Sequence, residues 1–238
     1  YDPDPVDQGV VMESRMDDFG YIVADECGFE LMDISTSGTL VGDGDDVLLG
    51  PIPIMGDPFN FYDTDYTEAF LSSNGFVSFY SDDYNDLSNV CPYPDPTYPN
   101  PRIAVLHDDL DLEPGIGTAW YEYFEICPQQ GREDDEACTI IMWNQIGHYP
   151  GGNGPWWNQE LILFHSTNDM VLLIGAGNPE TGSSSTTAIA RDGDAAFSLT
   201  IACDEEGSIP DDSCFWIWNP NVVATEATSF SALKTMYK

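Results

Sequence analysis

Three groups of carboxylates carry the clearest potential chemistry in this sequence. Asp43, Asp45 and Asp46 alternate with glycine in Gly42-Asp43-Gly44-Asp45-Asp46. Asp108, Asp109 and Asp111 crowd a second stretch, and Asp192 and Asp194 a third. Hard carboxylate oxygens on a loop that glycine can bend tightly suit Ca2+. The distal bidentate glutamate of an EF-hand is missing, so that motif is excluded. The competing reading is a solvated acidic surface, because the chain holds 42 acidic residues against 6 basic ones.

A second kind of site is aromatic. Tyr149, Trp156 and Trp157 surround the glycine-rich stretch from Pro150 to Pro155. Such rings stack on glycans or seat a protein partner, and they also serve simply to cover the end of a fold. Catalytic arrangements are hard to find. A glycoside hydrolase needs two particular carboxylates flanking its substrate, and nothing marks out a pair among the 42. His107, His148 and His165 are the candidate bases for a hydrolase, and none lies in a nucleophile-elbow setting. His165 reads as a sheet histidine and His148 as a loop residue. The residues therefore favour a protein that is not an enzyme.

The cysteines are Cys27, Cys91, Cys127, Cys138, Cys203 and Cys214, an even number that suggests disulfides and an oxidising compartment. Cys127 and Cys138 bracket a polar, turn-rich loop, and so do Cys203 and Cys214. Each pair reads as a staple across a hairpin, which leaves Cys27 with Cys91. No C-x-x-C spacing supports zinc. The sequence opens at Tyr1 rather than Met, from which we expect that an export signal has been removed. The longest apolar run, Met170 to Ala176, falls far short of the ~20 residues of a membrane-spanning helix. A secreted, extracellular or cell-surface protein without a transmembrane segment is expected.

The formal net charge is −36. Size scaling gives a folded surface on the order of 10,000 Å2, or about one net negative charge per ~300 Å2. Screening in physiological salt acts over ~8 Å, so such a surface tolerates itself in saline and repels itself in fresh water. Nucleic acid and anionic membranes are poor partners, since binding them relies on Lys and Arg. Cations and basic surfaces fit better.

The elements that must position these residues are short and β-like. Runs rich in Val, Ile, Phe, Tyr and Thr are cut up by Gly, Pro, Asn and Asp. Candidate strands are Tyr21–Ala24, Phe29–Ile34, Phe59–Tyr62, Ala69–Ser72, Phe76–Tyr80, Ile103–Leu106 and Ala119–Ile126. Further along they are Thr139–Trp143, Glu160–His165, Met170–Ile174, Thr186–Ala190, Ala195–Ala202 and Cys214–Trp218. Many short strands at hairpin spacing predict an all-β, antiparallel β-sandwich with disulfide-stapled hairpins and little helix. The Pro-rich stretch from Cys91 to Pro101 is expected to cross in an extended form, not as a strand. The one helical candidate is the tail, where Phe230, Leu233 and Tyr237 follow a Ser229 cap.

Several of these stretches, in order, resemble the nidogen-like extracellular domain and its bacterial relatives. They are Pro58 to Ser81, with Ser-Asn-Gly-Phe-Val-Ser-Phe at its centre, then Asn100 to Asp111 (NPRIAVLHDDLD) and Trp120–Phe124. Thr139–Trp143, Glu160 to Ile174 and Thr187 to Asp194 complete the series. Leu106-His107 departs from the pattern, in which bulky aromatics precede the two aspartates. The resemblance implies an extracellular module of adhesion and matrix proteins with no catalytic mechanism to carry over.

The expected organisation is one elaborated domain over 1–238, with a nidogen-like core at about 58–194, an arm at 1–18 and a tail at 225–238. The arm is acidic from Tyr1 to Asp7, and the tail carries two of the six basic residues. Docking of such ends onto a neighbouring copy would join subunits, and a contact that does not close gives a filament. The leading expectation is a non-enzymatic structural or adhesive protein that self-associates. The alternatives are a calcium-dependent, lectin-like glycan-binding module and a glycoside hydrolase.

Overall fold

The computed structural model describes residues 15–25, 27–83, 86–150, 154–179 and 181–220. The acidic arm from Tyr1 to Asp7 and the helical candidate at Phe230, Leu233 and Tyr237 lie outside the described residues. The strands in chain order begin with β1 (Arg15–Met16), β2 (Ile22–Asp25), β3 (Thr39–Gly42), β4 (Gly44–Asp45), β5 (Leu48–Pro53) and β6 (Phe59–Phe61). Then come β7 (Thr64–Tyr66), β8 (Glu68–Ser72), β9 (Phe76–Ser78), β10 (Arg102–His107), β11 (Leu110–Leu112) and β12 (Thr118–Phe124). The last are β13 (Cys138–His148), β14 (Trp157–Phe164), β15 (Met170–Ile174), β16 (Thr186–Ala190), β17 (Ser198–Cys203) and β18 (Ser213–Trp218).

These strands build two antiparallel sheets in a sandwich, with no α-helix among the described residues. The larger sheet runs β1-β2-β18-β15-β14-β13-β11-β4, with β12 pairing β13 and β3. The smaller runs β17-β16-β10-β9-β8-β5, and β6 and β7 form a hairpin of their own. Alternation along each strand explains the core. Ile141, Trp143, Leu161, Leu163 and Leu172 of the larger sheet join Leu71, Val77, Ile103, Val105 and Ile189 of the smaller in one buried cluster.

The intervening residues Ile140, Met142, Ile162, Phe164, Val171 and Leu173 form a second buried cluster on the other face of the larger sheet. That face is covered by residues 27–38, among them Phe29, Leu31, Met32 and Ile34. Burial on both faces is why the central strands read as unbroken apolar runs. It also corrects the strand expected at Phe29–Ile34: the segment has no ladder and crosses the sheet as an extended strap. Alternating apolar residues signal a chain with one buried side, and a strap satisfies that signal as well as a strand does.

Two disulfide expectations are also corrected. Cys127 bonds Cys138, but Cys203 bonds Cys91 and Cys214 bonds Cys27. The reason is topological. β17 pairs β16 in the smaller sheet whereas β18 pairs β15 and β2 in the larger, so the loop between Cys203 and Cys214 crosses between sheets and is not a hairpin. Cys203 instead anchors the Pro-rich stretch and Cys214 the strap. The strand expected from Ala195 begins at Ser198, after a 3-10 turn (Ala195–Phe197) in which Asp194 accepts the Ala196 N–H at 3.0 Å.

Candidate metal centre

The turn between β8 and β9 sets the geometry of the acidic residues. Gly75, at φ +82°, accepts both the Val105 and the Leu106 N–H on its carbonyl, at 3.1 and 3.3 Å. The register of β10 against β16 shifts between Ala104 and His107, a bulge that re-aims the turn beyond it. A Cβ on residue 75 would lie 1.8 Å from the Leu106 carbonyl oxygen, so the close approach requires glycine. That re-aimed turn carries Asp108 and Asp109.

Asn74, fully buried, joins this turn to the first acidic loop. Its Nδ2 donates to Asp46 Oδ1 at 2.9 Å, and its Oδ1 accepts the Leu110 N–H at 2.9 Å. Ser73 fixes the far end of the loop: its Oγ accepts the Val47 N–H at 3.0 Å, and its N–H donates to the Val47 carbonyl at 2.9 Å. β4 and β11 pair so that Asp45 stands opposite Asp111. Carboxylate oxygens of Asp45, Asp46 and Asp109 consequently lie within 4.8 Å of one another. Oxygens bound to a single calcium ion at ~2.4 Å are up to ~4.8 Å apart, so one hard cation spans this set.

The electrostatics favour a cation. Burial, then Asp111, Asp46 and Asp109, push the Asp45 carboxyl up from its ordinary range. Burial and then Asp46 push Asp109 up, with His148 opposing. A cation relieves like-charge crowding of this kind. The four arginines are committed elsewhere: Arg15 to Asp25, Arg102 to Asp83 and Asp86, Arg132 to Asp169 and Arg191 to Asp192. Asp45 and Asp46 are exposed and Asp109 is half-buried, so the site opens to solvent.

The other acidic candidates fall outside the triad. Asp43 is not part of it. Asp108 accepts the Asp109 N–H at 2.8 Å and Ser184 Oγ at 3.1 Å, with His148 Nδ1 at 3.4 Å. Asp111 is buried opposite Asp45. Asp192 accepts the Asp194 N–H at 2.8 Å and pairs with Arg191, so the third group shapes a turn.

Of the aromatic candidates, Tyr149 and Trp157 lie against the same corner. Tyr149 donates its N–H to the Asp109 carbonyl at 3.0 Å and is 57% exposed, and Trp156 is 40% exposed. Trp157 is 2% exposed, its ring lies 5.3 Å from that of His148, and its Nε1 donates to Gln159. His107 is buried, with Nε2 at 3.0 Å from the Asp86 carbonyl, and burial pushes it down to about 4. Burial likewise lowers His165, whose Nε2 lies 2.9 Å from Thr139 Oγ1.

Sequence reasoning missed Asn74 as the bridge. The signal was present, since Asn74 and Gly75 are the Asn-Gly of the resembling Ser-Asn-Gly stretch, and what carries the resemblance is what joins the two loops. A family model described as NIDO related matches residues 20–208. The chain belongs to this nidogen-related family. The NIDO-related region extends beyond the resembling stretch on both sides and contains the triad, Asn74 and Gly75. No curated protein and no solved structure matches the chain. Family membership and three disulfides fit an extracellular protein. Among the described residues no helix is long and apolar enough to cross a membrane.

Proposed function

We propose that this NIDO-related protein is secreted and is a non-enzymatic structural or adhesive module that self-associates through a calcium-organised corner. The observation that carries the reading is the convergence of Asp45, Asp46 and Asp109 on one cation-sized space. A chain of net charge −36 repels its own copies, and divalent cations between carboxylates are the direct remedy. Tyr149, whose N–H bonds the Asp109 carbonyl, supplies exposed aromatic surface beside the triad for the contact. A filament is the form that such a contact takes when it does not close on itself.

Electron microscopy and light scattering of the purified protein, with Ca2+ and after EDTA, test this. Assemblies that form in Ca2+ and disperse in EDTA support it. Dispersed particles under both conditions sink self-association, and assemblies indifferent to EDTA remove the triad from the contact.

A second reading is calcium-dependent glycan binding, favoured by the exposed Tyr149 next to the triad. Sugar-induced quenching of Trp fluorescence that chelator abolishes would support it. Glycoside hydrolysis is the least supported reading, as among the described residues no carboxylate pair is set apart by its surroundings as acid and nucleophile.

A further inference from the structure

Glu160 is the most deeply buried carboxyl that neither the metal centre nor an arginine accounts for. It sits on β14 between Met142 of β13 and Leu173 of β15, on the face that the strap of residues 27–38 covers. Its side chain is 0% exposed. Among the described residues its hydrogen-bond donor is the Met32 N–H of the strap, 3.0 Å from both Oε1 and Oε2.

The strap is tied down at both ends and open along its flanks. Cys27 is bonded to Cys214, and Phe29 packs on Phe164 and Trp216 with ring centroids at 5.9 and 5.5 Å. At the other end Ile34 is buried, Gly38 donates to the Ile34 carbonyl at 2.8 Å, and Ser37 donates to Glu122 at 2.6 Å. Leu31 rests where a Cβ on Gly175 would be, 2.6 Å away. Cavities of about 450 and 340 Å3 run beside Phe29, Glu30 and Leu31, so water reaches the middle of the strap from its sides. That middle, Met32, is where Glu160 holds it.

We propose that Glu160 is a proton-operated latch: protonated, it seats the strap on the larger sheet, and ionised, it draws in water and frees residues 29–34. The reason is the cost of an uncompensated charge on an apolar face. Asp33 on the strap sets a like charge against it, and the charged groups about the strap are acidic as well: Glu30 on the strap, Glu122 bonded to Ser37, and Asp212 lining the cavity beside Leu31. Burial, eased by the Met32 N–H and aggravated by Asp33, pushes Glu160 up to about 8. The sign follows. As pH rises from the ordinary glutamate range towards that value, the unfolded or lifted chain gives up the proton first, so the seated state loses stability through this window.

Hydrogen exchange on the full chain tests the latch, with peptides covering 29–34 compared with those of β15 and rates corrected for intrinsic chemistry. From about pH 6 to about pH 9.5 the strap should lose at least ~10-fold in protection while β15 keeps its own. In Glu160→Gln, which has nearly the same shape and no titration, strap protection should be flat with pH. Glu160→Met serves the same purpose if the amide proves unstable. Equal protection of the wild-type strap at both ends of the range, or the same loss in either variant, overturns the proposal.

Discussion

Asn74 donates to Asp46 at 2.9 Å from a position with no solvent exposure, and so locks one acidic loop onto the strand end that carries the other. The same amide accepts the Leu110 N–H, so each loop is held by one end of a single side chain. Asn74→Ala removes both bonds and leaves a buried N–H without its acceptor. We expect a loss of about 1–3 kcal/mol in chemical denaturation, and a drop of about 10–100-fold in calcium affinity by calorimetry. Wild-type values for both would show that the bridge is incidental.

Gly75→Ala should be more damaging still. The new Cβ would meet the Leu106 carbonyl at 1.8 Å in a backbone conformation of φ +82°. Either the bulge or the turn must give way, at a cost of roughly 3 kcal/mol or more, read as a fall in the denaturation midpoint. A variant of unchanged stability would mean that the bulge does not set the geometry.

Arg102 offers a test of the buried charge network beneath the Pro-rich stretch. Its guanidinium binds Asp83 through Nε at 2.8 Å and Nη2 at 2.7 Å, with Asp86 at 3.5 Å and the Phe76 ring at 4.4 Å. Burial pushes Asp83 up, but Arg102 outweighs it and holds the carboxyl below its usual range. The pair's stabilisation is therefore present above the ordinary aspartate range and is lost as pH falls through the depressed value. Arg102→Met strands the carboxylate and should cost about 3–5 kcal/mol at neutral pH. The deficit should shrink in acid, where Asp83 takes up a proton; a deficit that grows in acid would contradict this.

The disulfides can be weighed against each other. The chain-entropy model gives about 5 kcal/mol for a loop as long as that closed by Cys27–Cys214 and about 3 kcal/mol for one the size of Cys127–Cys138. Removing the first pair as a double serine variant should therefore lower the melting temperature more than removing the second. Peptide mapping checks the connectivity itself, and a Cys203–Cys214 peptide would contradict the fold.

What could be read from the sequence, and what could not, divides along physical lines. Met170–Ile174 and Thr186–Ala190 match their strands end for end, because they are apolar runs bounded by turn residues. β4, β7 and β11 escaped notice: they are two or three residues long, each includes an Asp, and runs so short show no alternation. Phe29–Ile34 has the alternation of a strand but is a strap, and local pattern does not distinguish a ladder from a face. The acidic loops were visible individually as Asp45-Asp46 and Asp108-Asp109. Their meeting depends on a bulge at Leu106 and on what Gly75 lacks, relationships between distant residues that no single stretch encodes. Cys203 and Cys214 misled for the same reason, since closeness in sequence hid a crossing between sheets.

Calcium binding at the triad, as proposed, would carry a pH signature of its own. Burial and neighbouring carboxylates raise Asp45 and Asp109, so protons compete with the cation at higher pH than they would at isolated aspartates. Affinity should weaken as the medium is acidified through this raised range, and proton release should accompany binding there. Affinity that rises on acidification would count against these carboxylates as the ligands.

Calorimetric titration of Ca2+ into the wild-type protein and into an Asp46→Asn, Asp109→Asn variant tests the account most directly. We expect one site in the wild type, with a stabilisation of about 2.7 kcal/mol at ~100 times the dissociation constant, and neither binding nor stabilisation in the variant. Equal heats and equal thermal shifts from the two proteins would contradict a cation centre at Asp45, Asp46 and Asp109, and with it the contact proposed to depend on it.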